Sequence, residues 1–471
     1  MPQETERCKW QHPLDASYEC PEPRLPSSKD EHCIFHEQSK EKDEEAFLDG
    51  IERKRDDHDF DFSGYYFPRR IGLFERFEFD KDVSFTLATF CGSNTLFSGA
   101  EFLGNKTDFS FAEFCGDVWF TSAVFSGNEA NFAKARFSGE NTGFAGAHFR
   151  AAETNFSRST FAGHYTDFLG AHFSRGRTDF SRVRFSSSIT VFTSAALKGI
   201  TTSFENAHLS GQKTEFRGTY FSSPTAFGGA VFSANETDFH GARFGQSAID
   251  FTRARFYSTW TDFSGVNLSN SRFVNARWAR IDFTDAQWNR RPLRRWMCWN
   301  ELNAKTRDDL QKAQSICRNI KQAYQGTGDY ETAGEFYYGE MECRLKCETR
   351  VFSRLWLTLL KLVCGYGEKP LRVVVTWLLV VWNFTLIYAF TGIAIRDGDP
   401  QRLLLPLLPL REIPSHLWRC LYFSGVTFTT LGFGDLAPAS GISQLFAVLE
   451  ASLGAFLMAL FILVVGRKLL R

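Results

Sequence analysis

Phenylalanine recurs along this chain on a fixed grid, and that grid limits the fold more tightly than any other feature. From Phe85 the rings fall at Phe90, Phe97, Phe102, Phe109 and Phe114, with steps of five and seven alternating. The pattern continues through Phe132/Phe137, Phe144/Phe149, Phe156/Phe161, Phe168/Phe173 and Phe180/Phe185 to Phe251/Phe256. Single-residue deletions shift it at Phe120 and Phe227, and Leu197 and Leu209 stand in for rings. Past Phe263 every step is five, through Leu268, Phe273, Trp278, Phe283 and Trp288. Two residues before most grid positions the side chain is small, as at Ala88, Ala100, Ala112, Ala135, Ala147, Ala171 and Ala242. Thr166, Thr178 and Thr214 hold the same place before the other member of the pair. A large and a small inward side chain two apart suit one flat side of a β-solenoid, the small one leaving room at the corner. Stacked coils then place ring over ring at the strand spacing.

The stretch from Phe85 to Trp288 resembles the pentapeptide-repeat family, with two extra residues in every second side. The resemblance implies a right-handed β-solenoid. With four sides to a coil the grid gives about nine coils, roughly 40 Å long at ~4.8 Å per coil. An aromatic stripe at structural spacing is core, so the ladder itself names no ligand. Acidic and basic residues balance at 54 each, which rules out an acidic imitation of DNA and leaves no field to attract nucleic acid. The solenoid's own cytosolic partner is not specified.

The sequence divides into an N-terminal Cys/His segment (1–60), a solenoid cap (61–84), the solenoid (85–290), a helical hairpin (291–350), an interfacial helix (351–366) and a membrane domain (367–471). Residues Met1 to Asp59 are polar and lack an apolar leader, so reduced thiols in a cytosolic setting are expected. Within them Cys8, Cys20, Cys33 and His36 offer three thiolates and one imidazole, a ligand set suited to structural Zn2+. Fewer than about forty residues build no core without such help. The spacing is not that of a standard finger, His12 or His32 could replace a ligand, and a tail with unpaired thiols is the rival reading. Asp308–Tyr324 and Tyr330–Arg350 flank Gly326-Thr327-Gly328 and read as two helices.

Leu371–Ile395 and Ile442–Gly466 are long apolar stretches whose only charges are Arg372 and Glu450, and both read as membrane-spanning helices. Lys361, Lys369 and Arg372 precede the first, and Arg467, Lys468 and Arg471 follow the second. The intervening loop mixes Arg396, Arg402 and Arg411 with Asp397, Asp399 and Glu412. Both termini are therefore expected in the cytoplasm. Val351–Cys364 is apolar apart from a stripe of Arg354, Thr358 and Lys361, with Arg350 one turn earlier. It reads as a helix on the cytoplasmic membrane surface, its basic residues towards headgroups.

Between the spans, His416–Thr427 forms a helix too short to cross, followed by Phe428-Thr429-Thr430-Leu431-Gly432-Phe433-Gly434-Asp435. A cation stripped of water needs stacked rings of oxygen ligands. Gly432 and Gly434 admit positive φ, which lets neighbouring carbonyls turn the same way. Thr430 adds a hydroxyl at the inner end and Asp435 a carboxylate at the mouth. Thr430-Leu431-Gly432-Phe433-Gly434-Asp435 closely resembles the potassium-channel signature T-V-G-Y-G-D. Leu for Val and Phe for Tyr are departures, and Phe433 lacks the hydroxyl that helps brace the family's filter. Gly454 lies where the family places the inner-helix glycine that acts as a gating hinge. Val426 occupies the pore-helix site where some bacterial members carry a buried glutamate. Thr427, Thr429 and Glu450 are expected to support the pore, Glu450 from behind the pore helix near Ser424 or Thr427.

The resemblance covers Leu371 to Arg471 and implies a two-span channel that conducts K+ as its permeant ion. One filter strand per chain cannot enclose an ion, so a homotetramer in a lipid bilayer is expected. The plasma (cell inner) membrane is the expected location. No Walker loop, catalytic triad or metal–water site is present, so no enzymatic activity is expected. With Arg471 five residues past the second span, any cytosolic signal is expected to enter through the solenoid and hairpin. The rival function is a membrane-anchored interaction scaffold with a non-conducting or nonselective cation pore.

Overall fold

The computed structural model describes residues 6–39, 42–68, 72–245, 248–290, 296–395, 402–403, 411 and 413–469. The chain forms two units, Met1–Ala333 and Gly334–Arg471.

The first unit is a β-solenoid with four faces of ten, eight, nine and nine parallel strands. Each strand pairs with its equivalent one coil later, as Thr89 with Glu113 and Phe90 with Phe114, so a coil spans 24 residues. The rings explain why. Phe90 stacks on Phe114 at 4.8 Å, and Phe97 on Phe120 at the same spacing. Within the core, rings from different faces meet edge to face, as Phe85 and Phe97 do at 5.5 Å. Stacked and edge-on arrangements are the two that the ring quadrupole favours. Ala88, Ala100, Ala112 and their equivalents are fully buried, as their place before each ring requires.

Two residues after the first ring of most pairs the backbone turns through positive φ, at glycines such as Gly99 and Gly146 but also at Leu87, Phe111, Lys134 and Arg158. The next coil stabilises the turn: the Leu87 amide donates to the Ser110 carbonyl at 3.0 Å, and the Arg158 amide to the Ser181 carbonyl at 2.9 Å.

The columns begin before Phe85. Phe62, Phe67, Phe74 and Phe79 stack on Phe85, Phe90, Phe97 and Phe102 at 4.9, 4.5, 5.3 and 4.8 Å. Helix α1 (Glu44–Asp56), capped by Asp43, buries Phe47 against Phe67. At the other end lie α2 (Trp299–Leu302) and α3 (Arg307–Thr327), the latter opened by a capping box between Thr306 and Asp309. Tyr324 of α3 accepts a hydrogen bond from Trp288 Nε1 at 2.8 Å and donates to the Phe283 carbonyl, which closes the last coil.

Helix α4 (Tyr330–Cys347) leads into the second unit, which continues with α5 (Val351–Cys364), α6 (Pro370–Thr391), α7 (Ile413–Phe428) and α8 (Gly441–Leu469). Helices α6, α7 and α8 pack on one another around Tyr388, Ala389, Ile393, Cys420 and Phe423. The first apolar helix stops at Thr391, short of the expected Ile395. Gly392 ends it with φ +88°, and Ile393–Ile395 is instead a strand, antiparallel to Leu436–Pro438.

Helix α5 carries one contact that the sequence did not indicate. Val351, Phe352, Leu355, Trp356, Leu359 and Leu362 are exposed, which gives the helix an apolar outer face. Lys361, expected among lipid headgroups, is paired with Glu342 at 2.9 Å. Arg396, Asp397, Asp399, Glu412 and Arg471, used above for orientation, lie outside the described residues.

Candidate functional site

The loop Thr429–Asp435 leaves the C-terminal end of α7 and precedes the strand Leu436–Pro438. Its backbone alternates. Thr430, Gly432 and Gly434 have φ of +57°, +61° and +82°, while Leu431 and Phe433 between them keep negative φ. Such alternation turns successive peptide groups to one side, which an ordinary strand does not do. Positive φ at the two glycines follows from residue type. At Thr430 it does not, because a β-branched residue resists that region. There the turn is held by amides: Thr430 N–H donates to the Thr427 carbonyl at 3.0 Å and Leu431 N–H to the Val426 carbonyl at 3.1 Å. The Thr429 hydroxyl donates to the Gly425 carbonyl at 2.7 Å and so closes the last turn of α7. Leu431 and Phe433 are exposed in the single chain, as is Trp418 one face away.

Near the loop's outer end, Tyr422 of α7 lies within electrostatic reach of the Asp435 carboxylate. Further in, Glu450 of α8 is fully buried. Its carboxyl meets the Ser424 hydroxyl of α7 and accepts from the Tyr388 hydroxyl of α6 at 2.7 Å. Ser424 also lies 2.9 Å from the Val381 carbonyl of α6. Three helices thus meet at one side chain. Ser424 was legible as a neighbour of Glu450 from sequence. Tyr388 was not, because 62 residues separate it from Glu450 and only packing joins them. Val426 and Thr427 show no contact with Glu450 among the described hydrogen bonds.

Gly454, one turn beyond Glu450, is buried against α7: a Cβ there would fall 2.1 Å from the Phe428 carbonyl oxygen. The glycine therefore permits a close helix approach, and α8 runs unbroken through it from Gly441 to Leu469. At the far end of α8, Arg467 pairs with Glu368 at 3.4 Å, in the turn before α6. The adjacent Tyr366 bonds Glu342 at 3.3 Å, and burial together with that carboxylate pushes its phenol up.

The loop of alternating φ is thus seated on a short helix between two long apolar ones. Residues 376–471 match the family model described as an ion channel. This part of the chain is an ion-channel domain. No curated protein and no solved structure matches the chain. The ion-channel domain's two long apolar helices, Pro370–Thr391 and Gly441–Leu469, make this a membrane protein.

Outside the ion-channel domain, the structure also brings together Cys8, Cys20, Cys33 and His36, all buried, with ligand atoms within 4.8 Å of one another. A second group, Cys298, Glu301 and Cys317, lies at the other end of the solenoid and was not singled out in the sequence.

Proposed function

We propose that this chain is a potassium-selective channel in which four copies surround one path and Thr430–Gly434 of each lines the filter. The alternating φ at Thr430, Gly432 and Gly434 carries the reading. Four such strands present rings of carbonyl oxygens that replace the water of K+, with the Thr430 hydroxyl at the inner end. Asp435 gathers cations at the outer mouth. Glu450 holds the pore helix α7 from behind, in place of a carboxylate on α7 itself. The protein sits in the plasma membrane with both ends in the cytoplasm, and its solenoid gates or anchors the pore.

Reconstitution in liposomes under a potassium gradient tests this. A reversal potential that follows potassium is expected. Gly432→Ala, which places a Cβ where φ is +61°, should abolish conduction or its selectivity while assembly persists. A potential that followed sodium, or no flux at all from intact tetramers, would leave a nonselective pore or a scaffold.

A further inference from the structure

We propose that Cys8, Cys20, Cys33 and His36 bind one zinc ion, and that this ion clamps the N-terminal segment over the open edge of the solenoid's first coil. The site is independent of the ion-channel reading. Residues 6–39 contain neither helix nor strand, and their regular pairings are the isolated bridges Arg7–Pro23 and Gln11–Glu19. Yet the four side chains are almost fully buried, at 7, 2, 0 and 1% exposure.

All four ligand atoms lie within 4.8 Å of one another, and three of the six spacings come near those of a tetrahedron. Zinc bonds of ~2.3 Å to sulfur and ~2.0 Å to nitrogen set edges of about 3.8 Å between sulfurs and about 3.6 Å between sulfur and nitrogen. Cys20 and Cys33 Sγ are 3.9 Å apart, and His36 Nδ1 lies 3.6 Å from Cys8 Sγ and 3.2 Å from Cys33 Sγ. Outer contacts fit the same chemistry. His36 Nε2 is 2.9 Å from the Ser63 carbonyl, which only accepts, so Nε2 carries the hydrogen and the Nδ1 lone pair faces the sulfurs. The Cys33 amide donates to Cys8 Sγ at 3.1 Å, as suits a thiolate.

Binding would release the thiol protons and leave three thiolates around Zn2+, a net charge of minus one. Lys42 lies close by to balance it, with Nζ on the carbonyls of Tyr66, Ile34 and Glu37 at 2.6, 2.9 and 3.1 Å. All four ligands come from the protein, so the site is closed and structural.

What it holds in place is specific. The strand Tyr66–Phe67 pairs with Thr89–Phe90 on one side, and its other side would be an open edge. The Tyr66 amide instead donates to the Phe35 carbonyl at 2.9 Å, and Phe35 stacks on Tyr65 at 4.6 Å. Trp10 stacks on His36 at 4.2 Å and lies so close over Gly64 that a Cβ there would meet its ring at 2.1 Å.

Elemental analysis of the purified full-length protein should find about one zinc per chain. Replacement by Co2+ should give the intense visible bands of a tetrahedral thiolate site. Cys20→Ser/Cys33→Ser should lose the metal and expose residues 6–60 to protease. Because that variant can misfold for other reasons, His36→Cys serves as the second arm. It should keep the zinc and shift the Co2+ bands to those of four sulfurs. Metal-free protein whose Co2+ form lacks these bands, or a Cys20–Cys33 disulfide in the intact mass, would overturn the site. So would a His36→Cys protein with zinc but an unchanged Co2+ spectrum.

Discussion

Glu450 poses a counting problem that its neighbours solve. The single Ser424 hydroxyl hydrogen has two acceptors in reach, the Glu450 carboxyl and the Val381 carbonyl. Both contacts are satisfied only if the residue-450 side chain itself donates to Ser424 Oγ, as a carboxyl or an amide can. Glu450→Gln should therefore assemble and conduct much as the parent does. Glu450→Leu leaves the buried Tyr388 hydroxyl without its acceptor, a loss of ~1–3 kcal/mol. The melting temperature of the detergent-purified protein, read beside liposome flux, separates the two. Gly454 makes a second case at this scale. Gly454→Ala forces α7 and α8 apart by its clash with the Phe428 carbonyl and should lower both stability and flux. Gly466→Ala on the same helix meets nothing within 4 Å and should be tolerated in both assays. If Gly454→Ala melted like the parent but opened differently, the hinge role expected from the sequence would be the better account.

Among the elements, those with a period were legible and those made by distant pairing were not. The coil could be read from Phe85 because ring spacing repeats along the chain. The coil holding Phe62, Phe67, Phe74 and Phe79 has the same five and seven spacing, but a step of six from Phe79 to Phe85 hides its continuity. The strand Ile393–Ile395 resembles the end of an apolar span in sequence, and only its partner Leu436–Pro438 makes it a strand. The pairing of Lys361 was hidden for the same reason, since Glu342 is 19 residues away on another helix. Inside the solenoid the rings carry the stability. Phe144→Ala should cost ~3–5 kcal/mol, because Phe144 is fully buried between Phe120 and Phe168. A Phe→Leu change there should cost less, roughly 1–1.5 kcal/mol, as Leu197 and Leu209 already occupy ring positions. Hydrogen exchange should place the extra opening in the coils next to the substitution, since each coil touches its neighbours alone. Opening spread evenly along the whole stack would contradict that picture.

For the whole molecule, the division into two units sets what each can do without the other. Removal of residues 1–300 should leave an assembled, conducting pore, and single-channel recording should show its open probability changed. An unchanged open probability under every ligand, pH and membrane tension tried would make the first unit an anchor. The parallel stacking described above also bears on how such a chain is made. Every strand of the four solenoid faces pairs with strands one coil away, 24 residues or slightly fewer along the chain, so none of them waits for a distant segment. On the ribosome each new coil can dock on the one before it as soon as it emerges, every few seconds at ~5–20 residues per second. The solenoid can thus be complete while the first apolar helix is still inside the exit tunnel or not yet translated. Ribosome-stalled chains ending some 40 residues past Trp288, roughly the length a tunnel hides, should already resist protease over the coils. Chains that stayed sensitive until release would show that folding waits for the membrane instead. Synthesis in this order delivers to the bilayer two greasy helices already tethered to a finished, rigid body.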